Sequence, residues 1–156
     1  ADLVGFIDFH TGLGPYGYGE LIMDGTPEQQ VRVRDWYGDQ VTDPSAGTST
    51  SAPLTGTLWH GAIQALPDTK MAFITLEYGT YEITRVLGAV RGDNWLYQRG
   101  VVDSPLGAAI KQEIRDTFYP DKDDWKEMVW SRAVEVVDLA LAGLMRGVIK
   151  TTSTSS

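Results

Sequence analysis

Two ionisable residues, His10 and Glu77, each stand at the end of an apolar run of the sequence. His10 follows the run from Leu3 to Phe9, and Glu77 follows the run from Met71 to Leu76. A neutral imidazole can bind a metal ion or a substrate, and a carboxylate can take a proton from water. Each residue also has a simpler interpretation: His10 as a strand-end residue hydrogen-bonded to a loop, and Glu77 as a surface carboxylate. Two strand ends that carry one His and one Glu nevertheless predict a site.

The residues around this pair could shape a pocket for a substrate. The glycines after His10 are not followed by Gly-Lys-Ser/Thr, which favours turns over a phosphate-binding loop. The neighbouring tyrosines could line a pocket or pack in the core. Arg85, eight residues after Glu77, could meet an acidic substrate or form a salt bridge. The candidate pocket residues are Gly12, Gly14, Tyr16, Tyr18, Tyr78 and Arg85.

The histidines and cysteines of the chain limit any metal site. A hydrolytic zinc ion takes three protein ligands and a water molecule. The chain has no cysteine and two histidines, His10 and His60, and their i+3 neighbours are Leu13 and Ile63. Neither histidine therefore begins a His-x-x-His or His-x-x-Glu pair. A complete zinc site would need acidic residues that converge from separate loops.

Composition places the chain among ordinary globular proteins. It has 156 residues, of which 42% are hydrophobic, and a net charge of −8. This length suits one domain, and the negative charge argues against nucleic acid as a partner. No run of about 18 apolar residues predicts a membrane span. The absence of cysteine fits a reducing compartment, so we expect a cytoplasmic protein, and the start without Met suggests a fragment or a processed product.

Apolar periodicity and capping signals predict alternating strands and helices, hence an α/β fold. The near-continuous apolarity of the first strand predicts that both its faces are covered. A Ser/Thr-rich stretch, 42–56, predicts a mobile loop, and the polar tail 151–156 is expected to fray. One helix is expected to be disturbed near Gly92. The predicted strands are 3–9, 20–23 and 71–76, and the predicted helices are 27–37, 55–66, 81–97, 105–118 and one beginning at Asp123 or Asp124.

Two segments together resemble the C-terminal half of zinc-carboxypeptidase-like proteins, in a bacterial branch of uncharacterised carboxypeptidase-like hydrolases. Residues 7–17 read IDFHTGLGPYG, and residues 74–80 read ITLEYGT. The resemblance implies a mixed sheet flanked by helices, of which residues 1–150 form the C-terminal part. It also implies that His10 is the third zinc ligand and that Glu77 is the catalytic glutamate.

Three parts of the family pattern are missing from the sequence. The His-x-x-Glu pair that supplies the first two ligands is absent, as are the arginine-bearing segments that bind the substrate carboxylate. Residues 51–58, where the family carries a loop tyrosine, contain none. We therefore expect zinc only with ligands from outside this chain, and we expect the isolated chain to bind zinc weakly and to be inactive.

The leading hypothesis is a zinc-dependent hydrolase that cleaves an amide in a peptide or in an N-acyl amino acid. A deacylase specific for N-acyl amino acids differs from it only in substrate. The alternative is a non-catalytic interaction domain that keeps the hydrolase scaffold. If the chain is only part of a domain, the edge of its sheet would be exposed and could pair with the missing N-terminal segment or with a second copy.

Overall fold

The computed structural model describes residues 3–153, with side chains up to residue 147. Within this range the chain forms three strands and five helices, which confirms the α/β class. The strands are β1 (Leu3–Tyr16), β2 (Gly19–Ile22) and β3 (Lys70–Gly79). The helices are α1 (Pro27–Tyr37), α2 (Leu58–Ala65), α3 (Ile83–Arg99), α4 (Pro105–Phe118) and α5 (Asp123–Ser153).

The three strands form one mixed sheet in the order β1-β3-β2. Phe6 stacks on Phe73, and the Thr80 hydroxyl donates to the Gly12 carbonyl, so β1 and β3 run in the same direction. The central strand β3 is buried along most of its length, whereas β1 is partly exposed and Phe9 is 52% exposed. The prediction that β1 is covered on both faces is therefore wrong, because β1 lies at the edge of the sheet.

Both strands of the candidate site continue further than predicted. The strand β1 runs seven residues past Phe9, and β3 runs past Leu76 to Gly79. Gly12 and Gly14 adopt φ values of 142° and 99°, which side chains disfavour, and the chain stays beside β3 through this stretch. His10 and Glu77 consequently lie inside strands, and the prediction that each follows a strand end is wrong.

The best-predicted helices are those with an explicit N-terminal signal. The bounds of α1 match the prediction, with Pro27 at its first position and a capping box between Thr26 and Gln29. At α4, Ser104 accepts a hydrogen bond from the Gly107 amide at 3.0 Å. The disturbance expected near Gly92 is absent from α3, which runs unbroken through it. One glycine costs a helix about 1 kcal/mol, which packing on both sides can offset.

The chain divides into two compact units. Unit 1 comprises the residues up to Phe9, then Glu20–Leu76, then the chain from Ser131 onward, and unit 2 comprises His10–Gly19 and Glu77–Trp130. A core of unit 1 consists of Trp59, Met71 and Phe73, with Phe6 packed on it. Unit 2 buries Tyr78, Leu96 and Trp125.

Two remaining predictions concern the C-terminal tail and the membrane. The segment 151–156 was expected to fray, but α5 continues to Ser153, and residues 154–156 lie outside the described part of the chain. Among residues 3–153 no helix combines the length and the apolarity that a bilayer crossing requires.

Candidate functional site

The parts of β1 and β3 that belong to unit 2 bring His10 and Glu77 together. His10 Nδ1 lies 3.7 Å from Glu77 Oε2. The imidazole side chain is 52% exposed, whereas the carboxylate side chain is only 8% exposed. The pair therefore consists of an imidazole that faces solvent and a carboxylate that is largely buried. These are the two residues that the sequence singled out, although they are 67 positions apart.

The backbone of β1 holds the other oxygen of Glu77. The Leu13 amide donates to Glu77 Oε1 at 2.9 Å. A hydrogen bond to a charged acceptor is stronger than one between neutral groups, so this contact restrains the position of Oε1. With Oε1 held by β1, Oε2 is the oxygen directed at His10.

The separation of the pair leaves room for a third atom. A direct N–H···O hydrogen bond spans about 2.7–3.2 Å, so 3.7 Å is too long for one. A water oxygen at hydrogen-bond distance from each group, about 2.7–3.2 Å, fits between two atoms this far apart. One small atom could therefore contact both groups. The fit to zinc is nevertheless incomplete, because in the part of the chain that the structure describes no three His, Cys, Asp or Glu side chains are grouped to hold a metal.

Tyr78, a predicted pocket residue, is a packing residue of unit 2. Its side chain is 1% exposed, and its hydroxyl donates to the Val129 carbonyl at 3.1 Å. Alternation along β3 turns Tyr78 to the opposite face from Glu77. The Trp125 indole donates to the Gly79 carbonyl at 2.9 Å on the same strand. Tyr78 therefore supports the strand that carries Glu77 and does not line an open pocket.

The glycines after His10 serve the backbone. A Cβ atom at Gly12 would lie 2.8 Å from the Phe118 ring, and Gly14 has a positive φ. The carbonyl oxygens of Gly14 and Pro15 approach Gly79 so closely that a Cβ there would overlap them. These residues let β1 and β3 lie against each other.

The two tyrosines of this segment differ in their contacts. Tyr16 is partly exposed, and its hydroxyl donates to Asp124 Oδ1 at 3.2 Å, near the start of α5. Tyr18 is exposed, while its backbone carbonyl accepts from the Gly79 amide at 3.1 Å. Tyr16 is thus directed at α5, and Tyr18 remains an accessible aromatic side chain beside β3.

Arg85 forms a salt bridge, the simpler of the two roles that its position in the sequence allowed. Its Nε donates to Glu113 Oε1 at 3.0 Å, and its guanidinium lies 3.9 Å from the centroid of the Tyr81 ring. The arginine therefore links α3 to α4. Its charge is already compensated within unit 2.

Glu20, on β2 in unit 1, is a buried carboxylate that the sequence interpretation missed. It is 3% exposed and accepts hydrogen bonds from the Thr42 hydroxyl at 2.6 Å, the Thr50 amide at 3.2 Å and the Thr50 hydroxyl. Burial raises the pKa of Glu20, but hydrogen bonds from Thr42, Thr50 and Ser49 together outweigh burial and lower it. The loop 42–56, predicted as mobile, is thus anchored by one carboxylate. The available signal was an acidic residue inside an apolar stretch.

Residues 1–132 match the model of the family described as protein of unknown function (DUF2817). The chain belongs to the DUF2817 family. No curated protein and no solved structure matches it. His10, Glu77 and Glu20 all lie in the part matched to DUF2817. The family's description names no activity, so the resemblance to zinc carboxypeptidases remains a prediction.

Proposed function

We propose that this DUF2817 chain forms part of a hydrolase that cleaves an amide bond in a peptide or in an N-acyl amino acid. Glu77 is the general base, and His10 is a ligand of a zinc ion whose other ligands lie outside this sequence. The observation that supports this proposal is the pair itself. A buried carboxylate has one oxygen anchored at 2.9 Å and the other 3.7 Å from a half-exposed imidazole.

The chain's own residues have distinct tasks in this proposal. Glu77 Oε2 takes a proton from the attacking water and returns it to the leaving amine, a role that typically contributes 10²–10⁴-fold to the rate. The Leu13 amide keeps the carboxylate oriented through Oε1. His10 presents its imidazole at the solvent-facing side of the pair. A bound zinc ion would lower the pKa of its water to about 7.

A non-catalytic interaction domain is the second candidate. It is favoured by the incomplete donor set, since two residues fall short of the three ligands that a hydrolytic zinc needs. It is also favoured by the exposed apolar residues of α3, which include Leu87, Val90 and Tyr97. On this view the His10–Glu77 pair stabilises the strands only.

Substitution of Glu77 in the full-length gene product tests the catalytic proposal. Glu77→Gln keeps the shape and removes the base, so kcat on N-acyl amino acids and on C-terminal peptide substrates should fall about 10²–10⁴-fold. The matched control is Glu20→Gln, a second buried glutamate, which should leave kcat within about twofold. Equal activity in the wild type and in Glu77→Gln would overturn the base assignment. A zinc-loaded full-length protein that hydrolyses neither substrate class would favour the interaction domain.

Zinc titration of the isolated chain tests the ligand assignment. We expect weak binding by calorimetry, and we expect His10→Ala to abolish it. His60→Ala is the control, because the His60 Nδ1 atom lies 2.8 Å from the Thr57 hydroxyl in unit 1 and has no part in the proposed site. Tight stoichiometric binding by this chain would show that its ligand set is complete. Equal loss of binding in both variants would contradict a specific role for His10.

A further inference from the structure

The outward side of α3 in unit 2 carries a groove that the proposed hydrolysis does not use. It is lined by Arg91, Asn94, Trp95, Gln98 and Arg99. Arg91, Trp95 and Arg99 follow one another at intervals of four residues, so they lie on one side of the helix. The buried residues Val86, Ala89 and Leu96 occupy a different side. The groove is therefore separate from the packed side of α3.

Apolar side chains lie next to this groove. Leu87, Val90 and Tyr97 are all exposed, and Tyr97 is 81% exposed. Leu87 stands one turn before Arg91, whereas Val90 and Tyr97 stand one turn on either side of Asn94, which also lines the groove. The apolar side chains and the groove therefore form one continuous surface. Exposed apolar patches rimmed by polar residues typically mark interaction sites.

The charge of this surface is positive and uncompensated. Two other charged residues of α3 have partners: Arg85 pairs with Glu113, and Asp93 pairs with Lys111. Within the described part of the chain, by contrast, neither Arg91 nor Arg99 forms an ion pair. Because the whole chain carries −8, a positive surface of this kind is a local exception. It complements an acidic partner.

The arrangement of charges also selects the kind of acidic partner. Arg91 and Arg99 are eight residues apart on one helix, hence separated by about 12 Å along its axis. Carboxylates seven or eight residues apart on a second helix match that spacing, with apolar side chains between them to cover Trp95 and Leu87. A second copy of α3 would instead place arginines against arginines, which is repulsive. We infer that this face of α3 docks an acidic amphipathic helix of another protein.

Peptide binding to the purified chain tests this inference. The probe is a fluorescently labelled 21-residue helical peptide, about three heptads, with leucines on one face and glutamates flanking them. A second peptide carries lysine at every glutamate position. We expect the acidic peptide alone to bind by fluorescence anisotropy, and the double variant Arg91→Glu/Arg99→Glu to weaken binding at least tenfold. Trp95→Ala should weaken it several-fold at unchanged salt dependence.

Control variants separate the groove from overall charge. Arg115→Glu makes on α4 the same change of charge as one of the two groove substitutions, and it should keep binding within about twofold, whereas Arg91→Glu alone should weaken it several-fold. Arg115 pairs with Asp116 on α4. Circular dichroism melting curves must show that each variant is folded. Equal affinity for the two peptides, or equal loss in Arg115→Glu and in the double variant, would overturn the inference. A dimer in sedimentation that Arg91→Glu/Arg99→Glu dissociates would assign the face to a second copy instead.

Discussion

Each unit of the protein contains one buried glutamate on a strand, but the two carboxylates have different partners. In unit 1, Glu20 is surrounded by neutral donors, the hydroxyls of Thr42 and Thr50 and a backbone amide. In unit 2, Glu77 has one oxygen on a backbone amide and the other facing a half-exposed imidazole. The first arrangement uses the charge to hold a loop, and the second directs one oxygen toward an ionisable, solvent-facing group.

This difference shows how a carboxylate that stabilises the fold can be distinguished from one that is available for proton transfer. Hydroxyl and amide donors that satisfy both oxygens leave no lone pair directed at solvent, so Glu20 has little capacity to take a proton from a substrate or water. Glu77 Oε2 lies 3.7 Å from its neighbour, which is long for a hydrogen bond and short enough for a shared atom. Burial alone would not have distinguished the two residues.

The largest expected effect on stability lies in the backbone beside Glu77. Gly79→Ala should lower the free energy of unfolding by about 3 kcal/mol or more, because its Cβ would overlap the Gly14 and Pro15 carbonyl oxygens. Gly47→Ala, in the loop that Glu20 anchors, has open space but a φ of 71°, and should cost about 1 kcal/mol. Urea unfolding followed by circular dichroism measures both. Similar losses in the two variants would show that the strand contact is not tight.

A smaller effect is expected at the carboxylate of unit 1. Glu20→Ala should lower the free energy of unfolding by about 2–3 kcal/mol, because the hydroxyls of Thr42 and Thr50 and the Thr50 amide lose a charged acceptor. Glu127→Ala, an exposed position on α5, is the matched control and should change the unfolding free energy little. Loss of protection of the 42–56 amides from hydrogen exchange should accompany Glu20→Ala. Unchanged protection would contradict the role of Glu20 as an anchor.

Local signals in the sequence were sufficient for several elements of this fold. Pro27 and Ser104-Pro105 predicted the starts of α1 and α4, because capping chemistry depends on adjacent residues. The length of β1 could not be predicted in the same way. Gly12 and Gly14 read as a turn, and only pairing with β3, more than sixty residues later, keeps this stretch extended.

The candidate site shows the same limit. His10 and Glu77 could be paired because each interrupts an apolar run, and strand neighbours then bring them together. The sequence could not show that Tyr78 packs inside the protein on the face opposite Glu77. Both faces of β3 are buried, so its sequence lacks the alternation of apolar and polar residues that would distinguish one face from the other. The partners of Glu20 lie 22 and 30 residues away in a Ser/Thr-rich loop, where many hydroxyls were equally plausible donors.

The smallest effect, the pH dependence of stability, sharpens the assignment of Glu20. Burial raises the pKa of Glu20, but its hydrogen bonds outweigh burial, so its pKa in the folded protein lies below the ordinary value of 4.5. The ionised form therefore stabilises the fold at pH above 4.5, and this contribution is lost as the pH falls through the folded pKa.

Glu20→Gln removes the titrating group while keeping a polar side chain, so the difference in unfolding free energy between the wild type and this variant should be largest near pH 7. It should shrink progressively below pH 4.5. Urea unfolding at intervals from pH 7 to pH 3 measures it, with Glu127→Gln as the exposed control, whose difference from the wild type should stay small throughout. A Glu20→Gln difference that is constant over the whole range would mean that Glu20 holds the loop through its shape rather than its charge. In that case the hydrogen-bond donors around each carboxylate would no longer explain why Glu20 and Glu77 differ.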